Sequence, residues 1–127
     1  MEWKALLIDD NENNRHLLTL LLDAAGVAVA IAEDGQSALR IAHREKPDII
    51  LLDIQLSEMD GYELAASLMR DAQLAHVPII GVSSFPVAGD RDKAMRMGFA
   101  AYIEKPVVPE QFAETVIGIL ERSGGPG

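Results

Sequence analysis

Five residues of this chain combine reactive side chains with a shared kind of position. Asp9, Asp10, Asp53, Ser83 and Lys105 each follow a short apolar run rich in Ile, Leu and Val. Where such runs are parallel strands of an open sheet, their carboxyl ends face one crevice. Four segments would then deliver three carboxylates, a hydroxyl and an amine to one place. Crowded carboxylates raise one another's pKa unless a cation compensates, and a divalent metal is the simplest relief. A carboxylate beside a metal can attack phosphorus and hold an acyl phosphate. Taken singly, each residue has a plain structural use: an aspartate at a strand end is most often a turn or cap residue, Asp9 or Asp10 could cap a helix before Glu12, and a lone lysine is usually solvated. Their common placement favours the chemical reading.

The elements that must position them are legible as alternation. Strands are expected at Lys4 to Ile8, Val27 to Ala32, Asp48 to Leu52, Val77 to Val82 and Ala100 to Ile103. Helices are expected at Glu12 to Ala25, Gly35 to Glu45, Gly61 to Gln73, Ala88 to Met97 and Pro109 to Arg122. Continuous apolar runs suit strands covered on both faces. Repeated strand and helix implies right-handed crossovers and a parallel sheet between two helical layers. Gly26 and Gly98 end helices, and Pro47 and Pro78 lead into strands. The first helix holds Leu17, Leu18, Leu20, Leu21 and Leu22, more than one buried stripe requires. Either the helix is broadly buried, or Leu18 and Leu22 lie on a flank as a docking surface beside the acidic pocket.

Composition narrows the function. The 127 residues make one domain of ordinary size, expected as a folded unit over residues 1–122 with a flexible tail at 123–127. The net charge of −9, from 20 acidic against 11 basic side chains, disfavours direct binding to nucleic acid or an anionic membrane. Without cysteine there is no disulfide framework, thiol redox centre or thiolate zinc site. No signal-peptide layout precedes the first strand, and no apolar run approaches the roughly 20 residues that span a bilayer. The expectation is a soluble cytoplasmic protein. His16, His43 and His76 form no metal-ligand or nucleophile–base spacing and are expected to be structural or solvent-exposed. The first βα turn carries Asp10-Asn11-Glu12 in place of a glycine-rich phosphate loop, which excludes the usual nucleotide-binding readings.

Leu7-Ile8-Asp9-Asp10-Asn11, Leu51-Leu52-Asp53-Ile54-Gln55, Ile80-Gly81-Val82-Ser83-Ser84 and Ala101-Tyr102-Ile103-Glu104-Lys105-Pro106, with Met59-Asp60-Gly61 between, together resemble the receiver domain of two-component response regulators. The resemblance spans essentially the whole chain. Asp9 through Asn14 and the stretch Leu74-Ala75-His76-Val77-Pro78 look most like stand-alone, cell-cycle-type receivers. It implies a flavodoxin-like (βα)5 α/β sandwich with strand order 2-1-3-4-5. It also implies Asp53 as phosphoacceptor and Mg²⁺ held by Asp10, Asp53 and the Gln55 main-chain carbonyl, with Asp9 acting through water. Calcium or manganese would also suit an oxygen site of this kind. Lys105, aimed inward by a cis Lys105–Pro106 bond, would serve the phosphoryl oxygens, and Ser83 would hydrogen-bond the phosphoryl group. Tyr102 would swing inward as Ser83 moves, switching a surface made by the fourth helix, fifth strand and fifth helix. The plain alternative for Tyr102 is a half-buried strand tyrosine with its hydroxyl in water.

The departures from the family's usual pattern are Ser57 in place of a common proline and Ser84 in place of a common alanine. The resemblance also implies that Gln55 and Phe85 occupy the two positions flanking the path of a hydrolytic water, and the bulk of Phe85 then predicts a durable phosphoryl group. The resemblance implies a histidine kinase or histidine phosphotransfer protein as donor, a downstream protein target, and a monomer or phosphorylation-promoted dimer. The chain would catalyse its own phosphorylation and dephosphorylation. With no output domain after the fifth helix, its output would pass through protein contacts or onward phosphotransfer. The rivals are a phosphorylation-independent interaction module of the same fold, a receiver cut from a hybrid kinase, and a flavin-binding electron carrier. Crowded acids fit the last poorly, since a flavin phosphate needs donor groups.

Overall fold

The computed structural model describes residues 2–56, 59–84 and 88–123. The elements run β1 (Trp3–Ile8), α1 (Glu12–Ala24), β2 (Val27–Ala32), α2 (Gly35–Glu45), β3 (Ile49–Asp53), α3 (Gly61–Arg70), β4 (Ile79–Ser83), α4 (Asp90–Met97), β5 (Ala101–Glu104) and α5 (Pro109–Arg122). All strand pairs are parallel, in the order β2-β1-β3-β4-β5. The expected flavodoxin-like α/β sandwich is therefore the observed one. Of the expected tail, residues 124–127 lie outside the described residues, as do Ser57 and Phe85. Among the described residues, no helix is long and apolar enough to cross a membrane.

Strand alternation builds two cores, one on each side of the sheet. Leu6, Ile8, Ile50 and Leu52 face α2, α3 and α4 and pack with Ile41, Leu64, Leu68 and Ala94. Ala5, Leu7, Ile49, Leu51, Ile80 and Val82 face α1 and α5 and pack with Leu18, Leu22, Phe112 and Val116. Leu18 and Leu22 are thus core residues, and the docking surface expected at them is overturned. The broadly buried helix is corrected too, since Leu17 and Leu20 are 46% and 53% exposed. Truncating Leu17 or Leu20 to alanine is expected to cost about 1 kcal/mol or less by urea unfolding, because half of each side chain already lies in water.

Several boundaries differ from expectation by one to three residues, and two have a clear local reason. Helix α3 stops at Arg70 because Asp71 takes an extended conformation and its carboxylate accepts from the Gln73 N–H at 2.9 Å. Helix α4 starts at Asp90, after Gly89 in the left-handed region at φ 90°.

His43 in α2 is half-buried, while His16 and His76 are exposed. Its Nε2 lies 2.7 Å from Asp71 Oδ2 and its Nδ1 2.8 Å from Gln73 Oε1, tying α2 to the segment after α3. The Asp71 carboxylate, then Gln73, raises the His43 pKa above its ordinary value. Burial pushes the Asp71 carboxyl up, but the Gln73 N–H and His43 outweigh it and leave the carboxyl below the usual range. Stability from this clasp is fully present below the unfolded histidine pKa of about 6.5 and is lost as pH rises through the raised native value. At the acid end it is lost as Asp71 protonates. Unfolding midpoints between about pH 5 and 9 are expected to show His43→Ala losing most relative to wild type near the acid side of neutrality, with the two converging at alkaline pH.

Candidate functional site

The register of the sheet sets the site. Ile8 pairs with Leu52, so the chain leaving β1 at Asp9 emerges beside Asp53. Asp53 pairs with Val82, and Ser83 with Glu104. Asp53 and Ser83 are the last residues of their strands, one position further inside the sheet than expected, and Lys105 follows β5 directly. The Lys105 N–H donates to the Ser83 carbonyl at 2.9 Å, and the Lys105–Pro106 bond is cis. All five residues singled out in the sequence therefore sit at the carboxyl end of the sheet.

One carboxylate oxygen from each of Asp9, Asp10 and Asp53 lies within 4.8 Å of the others. Asp9 and Asp53 are buried, at 1% and 5% exposure, as is Ser83 at 0%. Short-range donors fix the two buried acids: the Asn11 N–H donates to Asp9 Oδ1, and the Gln55 N–H to Asp53 Oδ1, each at 2.9 Å. Capping of α1 falls to Asn11, whose side chain accepts from the Asn14 N–H at 3.0 Å. Neither aspartate serves as the N-cap, the structural alternative weighed for the pair.

The electrostatics show the cost of burial first and of crowding second. Burial raises the Asp53 carboxyl to about 6, opposed by the Gln55 N–H; the Asp9 charge adds to the rise and Lys105 reduces it. Lys105 Nζ stands 3.6 Å from Asp9 Oδ2, an ion pair too long to be a hydrogen bond. Asp9 Oδ2, Lys105 Nζ and Ser83 Oγ are all buried without a hydrogen-bond partner among the described residues. Buried polar atoms normally have hydrogen-bond partners, so the ion-paired acid oxygen and ammonium and the nearby hydroxyl, all lacking one, leave an acceptor and donors that a bound group could use. Three carboxylates form a hard oxygen donor set, which fits Mg²⁺.

Two residues, Arg15 and Gln55, make side-chain contacts here that the sequence reading did not anticipate. Arg15 in α1 donates from its guanidinium to the Asp9 carbonyl at 3.0 Å and lies 3.8 Å from Glu33, tying the acidic corner to the segment after β2. Its signal was its place four residues after the cap Asn11, on the first turn of α1. The Gln55 side chain reaches across to β4, where its Oε1 accepts from the Ser84 N–H at 2.9 Å.

Tyr102 is 4% exposed and its hydroxyl is buried without a hydrogen-bond partner among the described residues. The half-buried tyrosine with its hydroxyl in water is therefore not what the fold holds. Arg91 of α4 covers it, with the guanidinium 5.3 Å from the ring centre and a hydrogen bond of 3.2 Å to the Tyr102 carbonyl.

Comparison with known proteins points the same way as the crevice. The family model for the response regulator receiver domain matches residues 5–117. The polar-differentiation response regulator DivK of Brucella anthropi is 37% identical over 120 residues, covering 94% of this chain and 98% of that protein. That is the kind of relative the cell-cycle-type stretches suggested. A putative response regulator from Chloroflexus aurantiacus superimposes with a TM-score of 0.90 at 26% identity, covering 96% of this chain and all of that one. The chemotaxis protein CheY4 of Vibrio cholerae does so with a TM-score of 0.82 at 26% identity, over 97% and 99% of the two chains. With its elements in the same order and its sequence matched almost end to end, this chain belongs to the response regulator receiver domain family.

Proposed function

We propose that the protein accepts a phosphoryl group on Asp53, in Mg²⁺-dependent transfer from the phosphohistidine of a histidine kinase or a histidine phosphotransfer protein. We further propose that the modified state changes its affinity for protein partners through α4, β5 and α5. The observation that carries this reading is the set of buried groups without a hydrogen-bond partner among the described residues, Asp9 Oδ2, Lys105 Nζ and Ser83 Oγ, at the carboxyl end of the sheet beside Asp53.

Asp9, Asp10 and Asp53, with the Gln55 main-chain carbonyl, would hold the metal. Bound Mg²⁺ would relieve the repulsion among the carboxylates and neutralise charge on the phosphoryl oxygens. The Asp53 carboxylate is the nucleophile: an oxygen lone pair forms the new O–P bond, and the P–N bond to the donor imidazole breaks with its electrons going to nitrogen. The Gln55 N–H holds Asp53 Oδ1 and so orients the carboxylate. The Lys105 ammonium and Ser83 hydroxyl supply donors to oxygens on which charge accumulates, the larger part of catalysis in phosphoryl transfer. Tyr102, buried beside α4, would report the change at Ser83 to the outer surface. The receiver unit spans residues 1–122 and works in the cytoplasm.

Intact mass after incubation with a small-molecule phosphodonor tests the reading. One phosphoryl group is expected to be gained with Mg²⁺ and none with a chelator. No gain together with no Mg²⁺ binding would overturn it in favour of a phosphorylation-independent binding module.

A further inference from the structure

Gln55 is attached to the site at both ends. Its main-chain N–H donates to Asp53 Oδ1, and its side-chain Oε1 accepts from the Ser84 N–H, each at 2.9 Å. The second bond fixes the carboxamide orientation, because an N–H requires the oxygen and not the NH₂ as its partner. Ser84 directly follows Ser83, whose buried Oγ has no hydrogen-bond partner among the described residues. The peptide after Ser83 therefore carries a donor at the carboxyl end of β4, next to the strand that ends in Asp53. Main-chain N–H groups at such turns bind anionic oxygens well because they need no rotamer search and carry no counter-ion.

Resting on the proposed phosphoryl chemistry, we propose that the Gln55 side chain is a latch that occupies the Ser84 N–H, a donor that a phosphoryl oxygen on Asp53 would otherwise take. The carboxamide oxygen stands in for a phosphoryl oxygen in the resting protein. Phosphoryl transfer has to displace it, so part of each donor's driving force goes into releasing the latch. The latch also holds the segment after β3 to the segment after β4, so its release frees both together. Gln55 is thereby a positioning residue: its side chain acts on the transferred group through Ser84 and not by direct chemistry. Its main-chain groups, which serve Asp53 and the metal, survive any side-chain substitution.

The test uses the whole chain with three variants. Gln55→Ala removes the acceptor, Gln55→Asn shortens it by one methylene, and Gln55→Glu keeps an acceptor while adding a negative charge. Amide hydrogen exchange is read at Ser84 in chelator, then with Mg²⁺ and beryllofluoride as phosphoryl mimic. In chelator, exchange at Ser84 is expected to be about tenfold faster in Gln55→Ala and Gln55→Asn than in wild type or Gln55→Glu, as for a lost hydrogen bond. With the mimic bound, the amide is expected to be protected in wild type, Gln55→Ala and Gln55→Asn. The rate of phosphoryl acceptance from a small donor is expected to rise about three- to tenfold in Gln55→Ala and to fall in Gln55→Glu. A wild-type chain that gains no phosphoryl group overturns the latch together with the proposed function. A wild-type chain that gains it, with Gln55→Ala unchanged in Ser84 exchange or in acceptance rate, overturns the latch alone.

Discussion

Asp53→Asn is expected to abolish the phosphoryl gain completely and, with no divalent cation present, to leave a protein more stable than wild type. The first effect follows from chemistry: an amide of the same shape has no carboxylate oxygen with which to attack phosphorus. The second follows from the electrostatics of the crevice. In the folded chain burial and then Asp9 raise the Asp53 carboxyl from 3.8 to about 6, against the pull of the Gln55 N–H and Lys105. Between those two values the folded state holds a proton that the unfolded state has released, so wild-type stability falls as pH rises through the window and stays reduced above it. Asparagine removes that dependence. The gain is expected to be near zero around pH 4, to open through pH 6 and to reach about 1–3 kcal/mol at neutral pH. Asp9 Oδ2, which has no hydrogen-bond partner among the described residues, can accept from the new amide, which adds to the effect. Urea unfolding at acid and neutral pH in chelator, with intact mass after phosphodonor treatment, reads both parts. An Asp53→Asn protein no more stable than wild type at neutral pH would mean that the crevice tolerates its charges without a cation, and the argument for a metal from crowding would fail.

The same crevice shows which features sequence can disclose. Buried parallel strands advertise themselves as apolar runs such as Ile49-Ile50-Leu51-Leu52, and the polar residues that follow the runs of β1, β3, β4 and β5 are the candidate site residues. The placement of Asp9, Asp10, Asp53, Ser83 and Lys105 was therefore legible. Where a strand stops was less so. Asp53 and Ser83 are polar, yet both remain in the sheet because Val82 and Glu104 stand opposite them to complete the ladder. Polarity ends an apolar run without ending a strand.

The leucines of α1 illustrate a different limit. Leu17 with Leu21 and Leu18 with Leu22 have the same four-residue spacing, so periodicity alone cannot say which pair faces inward. The sheet and α5 decide it, burying Leu18 and Leu22 against Val116 and Phe112 and leaving Leu17 outside. Side-chain links between distant segments were the least accessible. Gln55 meets Ser84 across 29 residues, and Arg91 meets Tyr102 across 11. No local pattern encodes either pairing; both depend on the strand register already being in place.

Gly61→Ala is expected to be the most damaging single-methyl change near the site, costing about 3 kcal/mol or more. A Cβ at Gly61 would lie 2.5 Å from Ile54 Cα, 2.6 Å from its carbonyl oxygen and 2.8 Å from its carbonyl carbon. All three are backbone atoms, so no rotamer change can make room. The Gly61 N–H also donates to the Ile54 carbonyl at 2.9 Å, and relieving the clash would break that bond. Ile54 lies between Asp53 and Gln55, and displacing it moves the proposed nucleophile and the residue whose N–H holds its carboxylate together. The variant is therefore expected to lose phosphoryl acceptance as well as stability, even at temperatures where it remains folded. Gly118→Ala provides the contrast. It sits inside α5, where an added Cβ meets only the end of the Arg122 side chain at 3.4 Å, and the helix preference for alanine is worth about 0.5–1 kcal/mol. Urea midpoints should therefore move in opposite directions for the two variants, with acceptance rates lost in Gly61→Ala and kept in Gly118→Ala. A Gly61→Ala protein as stable and as reactive as wild type would show that the segment after β3 can open without cost, and that close backbone packing at Gly61 does not hold Asp53 and Gln55 in place.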